Sequence, residues 1–187
     1  MKRLAQALLV CLAIVFGSAA FSEEIHVAMT SLRLRDDALA LDADFEFELG
    51  PRLEEALDRG IPLYFLVEFE LTRPRWYWLD ESVVQRSQKW RLWYHALTRQ
   101  YRLSSGNLHQ SFDTLAEAQR TLSRIRNWLV ADPVRIQPEI PYQAAVRMRL
   151  DTSELPKPFQ ASALANRDWK LASDWNRFAW SAREPAR

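Results

Sequence analysis

The chain has 187 residues, with 25 lysines and arginines against 24 aspartates and glutamates, which gives a formal net charge of +1. This balance excludes binding to polyanions through bulk charge, so we expect no nucleic-acid partner. The four glycines are too few for a glycine-rich phosphate loop, and the chain contains neither a Walker nor a dinucleotide-binding pattern.

The amino terminus has the layout of a secretory signal peptide. Lys2 and Arg3 precede an apolar run over residues 4–16, and small residues follow it. The run of about thirteen residues is shorter than the roughly twenty that cross a bilayer, so we expect cleavage after Ala20 or Ser22, with an uncleaved anchor as the alternative. Cleavage removes two basic residues and no acidic one, which leaves 23 against 24 and a net charge of −1. It also removes the one cysteine, so the exported chain would contain no disulfide and no thiol nucleophile.

Residues 25–34 and 39–49 predict two strands, and residues 51–59 predict a short helix between Pro51 and Gly60. In the second strand, apolar and acidic residues alternate with a period of two, which is typical of a strand that buries one face. The residues expected to face inward are Leu39, Leu41, Ala43, Phe45, Phe47 and Leu49. The acidic residues expected on the outward face are Asp42, Asp44, Glu46 and Glu48.

Residues 61–103 predict one long β-hairpin with an aromatic and basic tip. In its first arm the odd-numbered residues are apolar and share one face, because side chains alternate along a strand. The alternation of the second arm changes phase at residues 96–97, where we expect a bulge or a bend. Four charged residues are expected to meet across the two arms: Glu68, Glu70, Lys89 and Arg91.

The remaining elements follow after a turn at residues 104–107. We predict a strand over residues 108–112, a helix over Thr114–Trp128, a strand over residues 142–150 and a short edge strand over residues 169–171. These elements favour a mainly β fold, a two-layer antiparallel β-sandwich of roughly seven or eight strands with two short helices. The alternative is an α+β domain with both helices on one face of a single curved sheet.

The predicted organisation has three parts. Residues 1–22 form the signal peptide, residues 23–180 form a single β-rich domain, and residues 181–187 form a disordered tail. About 165 residues remain after cleavage, which is enough for one domain with a proper core.

The hairpin tip is the most distinctive candidate binding surface. It contains Arg73, Arg75, Trp76, Tyr77 and Trp78. Tryptophan, tyrosine and arginine are enriched in binding hot spots, and aromatic residues beside basic ones also suit contact with a membrane surface. The alternative is that the two tryptophans fold back onto the sheet as part of the core.

The acidic face of the second strand is the next candidate. It would bind a divalent cation or a basic partner, or it is a solvated face that pairs with Arg147, Arg149 or another basic strand. Alternate carboxylates lie in a row about 6.5–7 Å apart, whereas a hard cation needs ligands that converge on it. We therefore expect no metal site, and nothing in the sequence indicates a cofactor.

Carboxylates near the hairpin leave an enzymatic alternative open. Glycoside hydrolases use two carboxylates roughly 5–10 Å apart in a site often lined by aromatic residues, and Glu68 with Glu70, or Asp80 with Glu81, lie near aromatic residues. No set of acid, base and oxyanion donors is recognisable, so we assign no catalytic residue. A carrier that holds an apolar ligand between the sheets is a third hypothesis.

Several stretches, in order, resemble the proteobacterial exported domain-of-unknown-function family 4390 over nearly the whole mature chain. They are the leader, the strand over residues 39–49, the tip over residues 75–78, the helix over residues 115–129, the segment over residues 155–159, and Trp169, Trp175 and Trp180. The resemblance implies a small periplasmic protein of Gram-negative bacteria, without an assigned activity. It also implies a genomic setting beside a ribosomal RNA methyltransferase and a nitrogen-type sensor kinase. We therefore expect a non-enzymatic binding or adaptor module whose partner is another envelope protein, with a sensor kinase as one candidate.

Overall fold

The computed structural model describes residues 24–35, 38–77, 79–132 and 136–182. The described strands are β1 (His26–Leu34), β2 (Leu39–Glu46), β3 (Leu63–Arg73), β4 (Glu81–His95), β5 (Gln100–Ser105), β6 (Leu108–Phe112), β7 (Arg124–Ala131), β8 (Tyr142–Leu150) and β9 (Asn176–Trp180). The described α-helices are α1 (Pro51–Asp58), α2 (Leu115–Leu122) and α3 (Lys157–Ala165), and 3₁₀ helices span Thr152–Glu154 and Arg167–Trp169. The predicted signal peptide over residues 1–22, and residues 183–187 of the predicted tail, lie outside the described residues.

The strands form two antiparallel sheets, which confirms the prediction of a mainly β, sandwich-like fold. One sheet has three strands in the order β1-β2-β7, and the other has six in the order β6-β5-β4-β3-β8-β9. Buried apolar residues from both sheets and from the helices form one core cluster. In the described part of the chain the strands number nine rather than seven or eight, because the second arm of the hairpin and the second predicted helix each divide into two elements.

The β3–β4 hairpin lies at the centre of the larger sheet. Five alternate residues of β3 are 0% exposed, which confirms the predicted apolar face: Leu63, Phe65, Val67, Phe69 and Leu71. Burying an aliphatic or phenylalanine side chain of this kind contributes about 1.5–3 kcal/mol. Since a slip by one residue would turn this whole face toward solvent, its burial fixes the register of the hairpin.

The charged pairing predicted across the two arms is wrong. Glu68 lies opposite Ser87 of β4, and its carboxylate binds Arg147 and Arg149 of β8 on the other side of β3. A cross-strand ion pair contributes only a few tenths of a kcal/mol, so it cannot shift a register that the apolar face determines.

The second arm ends earlier than predicted. β4 stops at His95, residues 96–99 form a turn, and β5 begins at Gln100 and pairs back onto β4. Arg99 has a φ of 54°, in the left-handed region that closes tight turns. The change of phase at residues 96–97 therefore marks a turn between two strands rather than a bulge inside one.

The predicted helix over Thr114–Trp128 is correct only in its first half. Thr114 caps α2 by accepting a hydrogen bond from the backbone N–H of Glu117, but the helix ends at Leu122 and β7 follows. β7 pairs with β2, three of whose residues, Leu39, Leu41 and Ala43, are 0% exposed. If the helix continued to Trp128, the backbone N–H and C=O groups of β2 that now pair with β7 would be buried without hydrogen-bond partners. The free energy lost in this way exceeds what the helical spacing of the apolar residues would contribute.

The predicted edge strand over residues 169–171 is wrong in position. Trp169 closes a 3₁₀ helix instead, and it is 4% exposed with its ring 5.9 Å from that of Phe159. The edge strand is β9, which pairs with β8 a few residues later. Trp180 of β9 donates its Nε1–H to the carbonyl of Leu32 at 2.9 Å and so ties the larger sheet to β1. Within the described residues, no helix has the length and apolar character needed to cross a membrane.

Candidate functional site

The hairpin tip is held by the strands on both sides of it. Arg73 ends β3 opposite Glu81, which begins β4, and Pro74 cannot continue the ladder because it has no backbone N–H to donate. Beyond these strand ends, three apolar side chains stand in solvent: Trp76 is 93% exposed, Tyr77 is 64% exposed and Leu79 is 81% exposed. The rings of Trp76 and Tyr77 meet edge to face with their centroids 5.0 Å apart. Trp78 lies outside the described residues.

Both arginines of the tip are paired within it. Arg73 donates through Nε to Glu81 Oε2 at 2.8 Å, and Arg75 reaches the same oxygen. Hydrogen bonds from Arg73 and then from Arg75 hold the pKa of Glu81 below its usual value, so the carboxylate stays charged. The backbone N–H of Arg75 lies 3.4 Å from Asp80 Oδ1. The charges of two basic and two acidic residues therefore cancel, and the exposed surface of the tip is mainly apolar.

The acidic face divides into two parts that do different things. Asp42 was expected to point outward but is only 8% exposed. Its Oδ1 accepts a hydrogen bond from the backbone N–H of Asn127 at 2.6 Å, and its Oδ2 pairs with Arg33. Asp44 binds Arg126. These two carboxylates are paired with basic residues of β1 and β7, not with Arg147 or Arg149, and they hold the smaller sheet together.

Glu46 and Glu48 lie instead on the rim of an open groove between the end of β2, the start of α1 and the side of α2. The groove has a volume of ≈ 870 Å³. Its charged and titratable lining residues are Glu24, His26, Glu46, Glu48, Glu54 and Arg120. Four carboxylates against one arginine make it an acidic groove. Within the described residues, no three or more histidine, cysteine or acidic side chains are grouped as a metal would require.

In each of the two carboxylate pairs considered for glycoside hydrolysis, one member is bound by two arginines: Glu68 by Arg147 and Arg149, and Glu81 by Arg73 and Arg75. A general acid in such an enzyme needs a raised pKa. Partial burial alone would raise the pKa of Glu68, but hydrogen bonds from Arg147 and then Arg149 outweigh it and lower the pKa below its ordinary value of 4.5. The pKa of Glu81 is lowered as well. Neither carboxylate has the electrostatic surroundings of a proton donor.

An apolar ligand carrier also lacks support in the described residues. Phe65 and Phe69 project from β3 into the space between the sheets and are fully buried among core neighbours. The acidic groove is open to solvent and its rim is charged, so it does not resemble the apolar cavities that hold such ligands.

Comparison with known proteins identifies the family of this chain. Searches of curated proteins and of solved structures found no match to this chain. The model of the family described as domain of unknown function, DUF4390, matches residues 22–179. The match covers most of the chain, and the chain therefore belongs to the DUF4390 family.

Proposed function

We propose that the protein is an exported, non-enzymatic binding or adaptor module of the bacterial envelope that engages a protein partner through the hairpin tip. The observation that carries this proposal is the cluster of Trp76, Tyr77 and Leu79, which are 64–93% exposed at the end of a long paired hairpin. An isolated exposed leucine needs no explanation, but a contiguous group of large apolar side chains usually marks a contact site.

The electrostatics of the tip favour a protein partner over a membrane surface. Binding to anionic lipid headgroups needs free lysine or arginine charges beside the aromatic residues. Here Arg73 and Arg75 both bind Glu81, so the tip has little positive charge to offer headgroups. Binding to an apolar pocket on a protein needs no free positive charge, because the burial of the three exposed side chains stabilises the complex.

The tip is also preorganised for binding. β3 and β4 are paired from Leu63 with Leu92 to Arg73 with Glu81, and the two arginines fasten the base of the turn to Glu81. A side chain or loop that is already held in place loses less conformational entropy when it binds. The genomic setting implied by the family resemblance makes the extracytoplasmic part of a sensor kinase the first partner to test.

The test is in-cell crosslinking followed by affinity purification from envelope extract and mass spectrometry. The double variant Trp76→Ala with Leu79→Ala should lose the crosslinked partner and keep the melting temperature of the parent protein. The matched control is Leu97→Ala with Leu164→Ala, because Leu97 is 92% exposed and Leu164 is 84% exposed away from the tip. This control should keep the partner.

Three outcomes contradict the proposal. If the tip variant folds and still captures the same partner, binding lies elsewhere on the molecule. If the partner is lost equally from the tip variant and from the control, the loss reflects general surface apolarity rather than this hairpin. If phospholipid is captured instead of protein, the tip binds a membrane surface rather than a protein partner.

A further inference from the structure

The solvent-facing side of the six-stranded sheet carries a basic stripe that crosses five strands. The register places six basic residues on this side: Lys89, Arg91, Arg102, Arg147, Arg149 and Arg177. The acidic residues that the register places among them are Glu68 and Glu70. The exported chain has a net charge of −1, from 23 basic and 24 acidic residues, so the charge of this face opposes that of the whole molecule.

Part of this positive charge is compensated and part is free. Lys89 pairs with Glu154, while Arg147 and Arg149 share Glu68. Within the described part of the chain, the three remaining arginines form no ion pair: Arg91, Arg102 and Arg177. The unpaired charge therefore includes two neighbours on adjacent strands, Arg91 of β4 and Arg102 of β5.

Aromatic rings hold two of the arginines, Arg91 and Arg147, in place. The guanidinium of Arg91 lies 4.5 Å from the ring centroid of Trp93 and 5.9 Å from that of Tyr64. At the other end of the stripe, the guanidinium of Arg147 lies 4.4 Å from the ring centroid of Trp175. Stacking on a ring leaves the N–H groups at the edge of a guanidinium free, and that edge is the part that binds a carboxylate in a bidentate manner.

We propose that this face binds an acidic polypeptide segment in an extended conformation, at a site separate from the hairpin tip. Arg102 lies opposite Trp93, so Arg91 is its diagonal neighbour, and diagonal neighbours in an antiparallel pair lie about 7–8 Å apart. In an extended peptide, alternate side chains lie about 6.5–7 Å apart on one face. Carboxylates at alternate positions of such a peptide therefore match the spacing of Arg91 and Arg102.

Other anionic partners fit less well. Single-stranded nucleic acid binds by stacking its bases on open aromatic faces, whereas the rings of Trp93 and Trp175 each already have a guanidinium over them. An anionic membrane would gain from exposed apolar side chains between the charges. The large exposed apolar residues of the described chain all lie off this face.

The test uses a fluorescein-labelled peptide of alternating glutamate and serine, with fluorescence anisotropy as the readout at low ionic strength. The variant Arg91→Gln with Arg102→Gln should raise the dissociation constant of this peptide at least about tenfold, because it removes two charge-assisted contacts. The matched control is Arg86→Gln with Arg124→Gln, which changes the net charge equally at exposed arginines off this face. The control should change the dissociation constant less than about twofold.

Three other results of the binding assay would overturn the proposal. No binding by the parent protein, or equal losses in the variant and its control, overturns the proposal. Tighter binding of an oligothymidylate or of phosphatidylglycerol vesicles than of the peptide overturns the proposal in favour of that partner.

If Arg91→Gln with Arg102→Gln lowers the melting temperature, the variant Arg91→Lys with Arg102→Lys takes its place in the binding assay. It should weaken peptide binding partly, because lysine keeps the charge but not the planar fork. Trp76→Ala with Leu79→Ala should leave peptide binding unchanged. If this tip variant loses peptide binding, the peptide binds at the tip, and the proposal of a separate site is overturned.

Discussion

Replacing Asp42 by alanine is expected to destabilise the protein strongly, although alternation along the strand places this residue on an outward face. Its carboxylate accepts a hydrogen bond from the backbone N–H of Asn127 at 2.6 Å and also pairs with Arg33. Asn127 has a φ of 51°, where β7 departs from regular pairing with β2. One side chain thus connects all three strands of the smaller sheet.

The size of the effect follows from the two interactions. A hydrogen bond to a charged group contributes about 1.5–3 kcal/mol, and its loss removes the carboxylate that holds Asn127 in a sparsely populated backbone conformation. The side chain of Arg33 is 45% exposed, so water replaces much of its pair with Asp42, which is worth at most about 1 kcal/mol. We therefore expect Asp42→Ala to lower the free energy of unfolding by about 2–4 kcal/mol. Asp42→Asn keeps an acceptor for Asn127 and should cost about 1–2 kcal/mol.

Urea-induced unfolding at neutral pH measures these differences, and Glu46→Ala and Glu48→Ala are the controls. Both glutamates are exposed and belong to the same acidic series, so each substitution should stay within about 0.5 kcal/mol of the parent protein. If Asp42→Ala proves as mild as the two controls, its carboxylate does not hold the β2–β7 irregularity and the reasoning is refuted.

Three further predictions concern the core, the charged face and the leader. Phe45→Ala should cost about 3–5 kcal/mol in the same unfolding assay, because Phe45 is 2% exposed; a loss below about 1 kcal/mol would contradict its place in the core. The lowered pKa of Glu68 means that its two ion pairs stabilise the fold above the unfolded value of 4.5, and that this stabilisation is lost as the pH falls through the folded pKa. Glu68→Gln should therefore cost about 1–2 kcal/mol near pH 7 and progressively less below pH 4.5, and an undiminished difference at about pH 3 would be inconsistent with this assignment. Mass spectrometry of periplasmic extract should find a chain that begins at Phe21 or Glu23, whereas a full-length cytosolic chain would exclude export.

The buried faces could be predicted from sequence because they depend on a local period. Alternation over β3 identifies every side chain that the structure buries there, and helix α1 follows from Pro51 and Gly60 at its ends. The end of α2 could not be predicted in this way. Both a helix and a strand are compatible with the apolar residues after Leu122, and the need of β2 for a backbone partner decides between them.

The candidate surfaces differ in the same way, because one is formed by residues close in the sequence and the others by residues far apart in it. Trp76 and Tyr77 stand beside Pro74, so a turn is predictable from neighbouring residues, and both side chains are exposed there; their binding of a partner stays a prediction. The acidic groove brings Glu24 and Glu54 beside the end of β2, and no local pattern signals that encounter. The basic stripe requires the strand order of the six-stranded sheet, which places distant segments side by side.

The two proposed binding surfaces are far enough apart to be occupied together. Glu81 at the tip and Arg91 on the sheet face are ten residues apart on β4, which at about 3.3 Å per residue separates them by roughly 33 Å. A standard protein interface covers about 800 Å² on each partner, equivalent to a disc roughly 32 Å across. Two such discs would meet at their rims without overlapping. β4 is paired with β3 over most of this distance and with β5 at its far end, so the separation is fixed by the sheet rather than by a flexible linker. One partner at the tip and an acidic segment on the sheet face would then be held at a constant spacing, which is the geometry that an adaptor requires.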